Sequence, residues 1–264
     1  MNVGFFVDND LCWNLNVLRK TIPLLEKKGF RVKCVWLLPK KLSNKYGFEV
    51  TLWWLNTFGS VNFLKLIFFY LLVVMKNKVN NCNSFQELKS SNKIKFLYIK
   101  NPNDKSVIPV LKKNKIKYSF SLSEHIFGKK ILKIKNHVIL NKHSSLLPSS
   151  KGLLPYFWSK IQKKVNGVTI HIIGKKIDSG RIVFQKKINK KFYSMVNFYI
   201  YISNNYPKYL ISALSNLKKR RFVKNKYQSS YNSIPNRSDF KLFSKKDGKV
   251  ISFYDILNFK DLTN

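Results

Sequence analysis

The sequence is poor in acid. Its 264 residues carry 12 Asp and Glu against 50 Lys and Arg, a formal charge of +38. Such a field favours anionic partners: nucleic acid, a membrane surface or a phosphorylated substrate. Arginine, the better fork for phosphate, is scarce as well. Only six of the basic residues are Arg, and they cluster only at Lys218-Lys219-Arg220-Arg221. Lysine is spread along the whole chain, which points to a compositional bias toward Lys, Asn and Ile as the main source of the charge. The three cysteines, Cys12, Cys34 and Cys82, form no C-x-x-C pair and no Cys/His cluster at ligand spacing. That argues against a disulfide framework and a zinc site, and suits core thiols of a cytoplasmic protein with no metal. No G-x-G-x-x-G follows the first predicted strand and no G-x-x-x-x-G-K-[ST] occurs, so dinucleotide binding and P-loop phosphoryl transfer are poorly supported. The N-terminus, MNVGFFVDND, has no basic region before an apolar run, and no signal peptide is expected.

What is present is a globular composition, 45% hydrophobic and 15% aromatic, long enough for one domain and an appendage. Residues 2–8, 31–38, 94–99, 117–122 and 137–141 read as strands, with helices over 13–28 and 105–114 between them. This alternation predicts an α/β domain with a mostly parallel sheet. Residues 167–177 and 181–188 read as two close strands joined through Asp178-Ser179-Gly180, an antiparallel element. A long aromatic-rich helix is expected over 194–217. The chain is then Lys/Asn/Ser-rich until Ser233-Ile234-Pro235, which opens a short helix ending near Phe243, with a small terminal element over 248–258. The apolar run from Val61 to Met75 is shorter than the roughly 20 residues a bilayer span needs. It reads as a buried or groove-lining helix, with membrane-surface attachment near Lys76 and Lys78 as the other reading.

Ligands sit at the carboxyl ends of strands in open α/β sheets, and Asn141 and His143 stand at the end of the predicted fifth strand. Between His125 and Ser238 the only acidic residue is Asp178, and three of the four histidines, His137, His143 and His171, share that stretch. Taken singly, Asp178 is a plausible turn residue and each His a plausible packing group.

Their order says more. Asn141-Lys142-His143-Ser144-Ser145-Leu146-Leu147-Pro148 is followed by Lys151-Gly152-Leu153-Leu154-Pro155, then Gly167-Val168-Thr169-Ile170-His171, then Asp178-Ser179-Gly180-Arg181-Ile182. This string resembles the folate-dependent formyltransferase family, which includes the glycinamide ribonucleotide, methionyl-tRNA and nucleotide-linked amino-sugar formyltransferases. The family signature runs N-x-H-P-S-L-L-P, a Gly and a Pro, G-V-T-x-H and, seven residues later, D-x-G-x-I. The resemblance covers about residues 115–190 and extends to the sheet before them. Ser144 stands where the family usually has Pro; this loosens the turn after His143 without removing a reacting group.

The resemblance implies a Rossmann-like catalytic domain over 1–217, followed by a short basic linker and C-terminal appendage over 218–264. It implies 10-formyltetrahydrofolate as formyl donor, a primary amine as acceptor and no metal. It makes Asn141, His143 and Asp178 the catalytic set, with His171, Ser145, Thr169 and Gly180 in support. A charged His143 and the Asn141 amide are expected to stabilise the developing oxyanion, while Asp178 keeps the imidazole charged and takes the proton of the amine. Ser121, Ser123, Ile126 and Gly174 are the expected folate-pocket lining.

The acceptor is less legible. Methionyl-tRNA formyltransferases carry a C-terminal β-barrel that holds tRNA, and the residues after Leu217 are too few for one; tRNA is not favoured. Glycinamide ribonucleotide enzymes open with a Gly-rich phosphate loop, where this chain has Asp8-Asn9-Asp10-Leu11. Both differences favour the amino-sugar branch, whose nucleotide diphosphate suits the positive field. From a different class, a basic RNA-binding protein on the same scaffold would draw on Lys218 to Lys226 with Tyr227 and Tyr231; a solvated linker is the plainer account of that stretch. A homodimer is compatible with either reading.

Overall fold

The computed structural model describes residues 1–88, 90, 93–224 and 226–263. Asn225, inside the basic stretch, lies outside the described residues.

Seven strands form the main sheet: β1 (Asn2–Asp8), β2 (Arg31–Leu38), β3 (Lys95–Tyr98), β4 (Tyr118–Leu122), β5 (Val138–His143), β6 (Gly167–Ile172) and β7 (Ile182–Lys187). Their order is β7-β6-β5-β4-β1-β2-β3. The pairs from β5 to β3 are parallel, and β6 runs antiparallel to both β5 and β7. In β1, Val3, Phe5, Phe6 and Val7 are all buried, because helices cover both faces of a parallel sheet. Phe5 packs against Phe120 on one face, and Phe6 stacks on Trp36 at 4.4 Å on the other.

Helices α1 (Asn14–Lys27), α2 (Phe48–Phe58), α3 (Ser60–Val79), α4 (Val107–Lys113), α5 (Pro155–Ile161), α6 (Met195–Lys218) and α7 (Arg237–Lys245) surround the sheet. The larger core joins one sheet face to α1, α5, α6 and α7; Val107 and Leu111 of α4 belong to a smaller core with Phe6, Trp36 and Ile139. The chain runs outward from β1 through β2 to β3, then returns to place β4 on the other side of β1. That reversal leaves a crevice at the carboxyl ends of β1 and β4.

The chain beyond Lys218 stays on this body. Val223 bridges to Ile182 at the edge of β7, and Arg181 lies over the Phe222 ring. Tyr231 and Asn232 pair with Lys151 and Gly152. Trp53 Nε1 and Trp158 Nε1 donate to the carbonyls of Pro235 and Ser233.

Most predicted elements agree to within a residue or two, with a few differences. The strand predicted over 167–177 ends at Ile172, because Gly174, Lys175 and Lys176 carry the chain off the sheet into the loop that holds Asp178. The helix α2 has no counterpart among the predicted elements; Gly47 and Gly59, at φ 51° and 82°, separate it from its neighbours. The terminal element over 248–258 resolves into helices at Phe253–Leu257 and Lys260–Thr263. The apolar run lies within the longer helix α3, Ser60–Val79, which takes the groove-lining role of the two expected and is mostly exposed rather than buried.

Phe157 is fully buried, stacked at 4.5 Å on Phe243 and 6.1 Å from Phe58. Phe157→Ala should cost about 3–5 kcal/mol in a urea titration, in a single transition that includes α7; a separate early transition would show that the C-terminal segment unfolds on its own.

Candidate active site

β5 and β6 pair in antiparallel register with Asn141 opposite His171 and His143 opposite Thr169. His143 Nε2 lies 2.8 Å from the Ser150 carbonyl, so that nitrogen carries the proton and donates it. Nδ1 then faces Asp178 Oδ2 at 3.5 Å. The other carboxylate oxygen of Asp178 lies 3.6 Å from His171 Nε2, and Oδ2 accepts the Gly152 N–H at 2.9 Å. Asn141 Nδ2 approaches His171 Nε2 at 3.4 Å, while His171 Nδ1 donates to the Ile172 carbonyl.

The loop that carries Asp178 leaves no room for side chains behind it. A Cβ on Gly180 would collide with the Ile172 carbonyl oxygen. Gly152 has φ +92°, and a Cβ there would strike the Asn232 carbonyl oxygen. Ser145 and Thr169 brace the other side: the Thr169 hydroxyl donates to the Ser145 carbonyl and accepts from the Leu147 N–H, and Ser145 Oγ donates to the Ser149 carbonyl.

Asn141, His143, His171 and Asp178 open onto a cavity of about 950 Å³ at the sheet crevice. Ser121, Ser123, Ile126 and Gly174 line it too. Ser145, Thr169 and Gly180 lie behind its wall. Among the described residues no cluster of three or more His, Cys, Asp or Glu could hold a metal.

The electrostatics differ from the sequence expectation at His143. Burial lowers its pKa, and Asp178 with the Ser150 carbonyl opposes that shift only in part. The imidazole is therefore neutral at neutral pH, not charged. Burial also works against the charge of Asp178, but His171, His143 once acid protonates its ring, and the Gly152 N–H outweigh it and hold the carboxyl at about 2.

Several titratable groups on the cavity wall escaped sequence reasoning as site residues, Asp8, Glu124 and Lys142 among them. Asp8, at the end of β1, is pushed up to about 8 by burial and then by Glu124 and Asp10; its Oδ1 is buried without a hydrogen-bond partner. Glu124 is exposed as a residue yet lines the cavity, where desolvation and then Asp178 raise it to about 7. Lys142 is brought down to about 8 by burial. A count of acids that begins at His125 misses Glu124 by one residue, and position 142 is unspecified in the family signature. Beside them, Asp10 closes the turn into α1: its Oδ1 accepts the N–H groups of Cys12 and Trp13, and its Oδ2 pairs with Lys40 at 3.3 Å.

Residues 122–192 match the family described as Formyl transferase. Over 65 residues the chain is 43% identical to the methionyl-tRNA formyltransferase of Thermodesulfovibrio yellowstonii, covering 24% of this chain and 21% of that one. Over 108 residues it is 38% identical to the bifunctional polymyxin resistance protein ArnA of Wigglesworthia glossinidia brevipalpis, covering 40% and 16%. These matches span about a fifth of the relatives' length or less. The fold is similar to that of a sugar N-formyltransferase from a Shewanella species, with TM-score 0.55 and 18% identity over 99% of this chain and 87% of that one.

The depressed Asp178 pKa has a sign. Unfolded Asp titrates near 3.9, so the group stabilises the fold above about pH 4 and loses that contribution as pH falls toward 2. The contribution is on the order of 2 kcal/mol. Urea unfolding across this window should show wild-type stability falling with acidification and a flatter profile for Asp178→Asn; parallel profiles would mean that the carboxylate is not held by His143, His171 and the Gly152 N–H.

Proposed function

We propose that this chain, with its formyl transferase segment at residues 122–192, transfers the formyl group of 10-formyltetrahydrofolate to the amine of a nucleotide-linked amino sugar. The observation that carries the reading is Asp178 held between His143 and His171 on the wall of a large cavity, inside the matched segment.

The cavity suits the donor. Its volume lies at the upper end of the range for small-molecule sites. The unpartnered Asp8 oxygen calls for a polar ligand. Ser121, Ser123, Ile126 and Gly174 would hold the folate, which when bound supplies the formyl carbon. The Asn141 amide opens onto the same space and donates to the oxygen that gains charge as the amine attacks. His143 offers the unprotonated Nδ1. It accepts the proton the amine loses, directly or through water; the Asp178 carboxylate stabilises the imidazolium so formed, which gives that proton to the carrier nitrogen as its bond to the formyl carbon breaks. Asp178 is too weak a base, at about 2, to be the final proton acceptor itself. His171 orients the carboxylate from the other side.

The acceptor assignment rests on the α1 turn and on the relatives. The N–H groups that a phosphate would need there are bound by Asp10, which disfavours the glycinamide ribonucleotide mode of binding. Resemblance to ArnA and to a sugar N-formyltransferase supports an amino sugar. Three buried free thiols suit a reducing cytoplasm.

A panel of amines incubated with 10-formyltetrahydrofolate and read by mass spectrometry should yield a formylated nucleotide-linked amino sugar. His143→Ala and Asp178→Ala should each lower kcat by about a hundredfold or more. Because neutral His143 is the acceptor, kcat/KM should rise with pH through a group titrating below about 6.5. Undiminished turnover in both variants would sink the site; preferred formylation of glycinamide ribonucleotide or methionyl-tRNA would overturn the acceptor.

A further inference from the structure

α3 has two apolar faces and the fold uses one. Phe69, Val73 and Asn77 turn inward; Phe69 and Val73 pack with Cys12, Ile200, Ile251 and Leu262, and the Asn77 amide donates to the Leu11 carbonyl. On the opposite side, Val61, Leu64, Phe68, Leu71, Met75 and Val79 recur every three or four residues and form one stripe. They are 50–73% exposed. Ile67 and Tyr70, both partly exposed, extend the stripe to the wall of the cavity. Exposed apolar surface of this continuity on a folded chain marks a contact surface.

We propose that this outward face of α3 docks on an anionic lipid surface. Lys65, Lys76 and Lys78 flank the stripe, and no acidic residue occurs between Glu49 and Glu87. An apolar helix face rimmed by lysines is the arrangement that lies in a membrane interface, with the apolar side among acyl chains and the ammonium groups at the headgroups. A second copy of the chain would instead set two such lysine rims and two charges of +38 against each other. By length and composition α3 is also the one helix among the described residues able to cross a membrane. Its inner face holds part of the core, so it lies along the surface rather than through it. At about 1.5 Å per residue, the stripe is long enough to bring the edge of the cavity to the bilayer.

Co-sedimentation of the full chain with vesicles tests this. Binding is expected to vesicles of phosphatidylcholine mixed with phosphatidylglycerol and to be far weaker to phosphatidylcholine alone. L64S/F68S leaves the charge unchanged and touches only exposed positions, so its thermal unfolding should match wild type while binding to the mixed vesicles falls by about tenfold or more. Equal binding by L64S/F68S would mean that bulk charge, not α3, holds the protein. Absence of wild-type binding would overturn the proposal. So would a dimer in sedimentation equilibrium that L64S/F68S dissociates, or retention in the membrane after alkaline carbonate extraction, which would mark a spanning helix.

Discussion

The Asp178 carboxylate is the one contact on which three separate pieces of chain depend. It meets His143 at the end of β5, His171 on β6 and the Gly152 N–H in the loop between those strands. The Gly152 N–H donates to it at 2.9 Å, and the two imidazole rings face its two oxygens at 3.5 and 3.6 Å. Along the chain between His125 and Ser238 no other acidic residue could compete with it for cations. The scarcity of acid, which at the level of composition looks like a bias without purpose, leaves this part of the chain with a single anionic anchor.

Charge is arranged differently across the cavity. Asp178 is held ionised, whereas Asp8 is pushed upward by desolvation and then Glu124, and Glu124 by desolvation and then Asp178. Carboxyls whose environments separate their pKa values are a common device for dividing acid and base roles within one site. The crevice itself follows from connectivity: β4 returns beside β1 on the side away from β2, and the loops at that reversal part to leave space.

Much of the sheet was legible because a strand buried on both faces must be apolar throughout, and 2–8 and 31–38 are. The antiparallel β6–β7 pair was legible from the short link between two β-rich runs. The exposure of α3 was not, because a helix that is apolar all round carries no periodicity to say which face the fold will cover. Asn141, His143 and Asp178 were readable only as members of a spaced series. The protonation state of His143 was not readable at all, since it depends on how deeply the ring is buried and on the Ser150 carbonyl that claims its Nε2 proton. Lys142 fills an unspecified place in the signature and Glu124 lies before it; only the folded cavity shows that both line the site.

The loop from Pro148 to Gly152 does not stand alone. Ser230 accepts the Lys151 N–H with its carbonyl and the Ser150 N–H with its hydroxyl, and it binds the Lys164 ammonium; Tyr231 and Asn232 continue the pairing. Gly152, which holds Asp178, thus takes its support from residues synthesised roughly eighty positions later. At ribosomal rates that is a delay on the order of ten seconds. The residues of the sheet and both histidines are synthesised before the strand that steadies the loop between them. The reaction centre is therefore among the last parts of the chain to be completed, and chemistry would begin only once the C-terminal segment has closed over it.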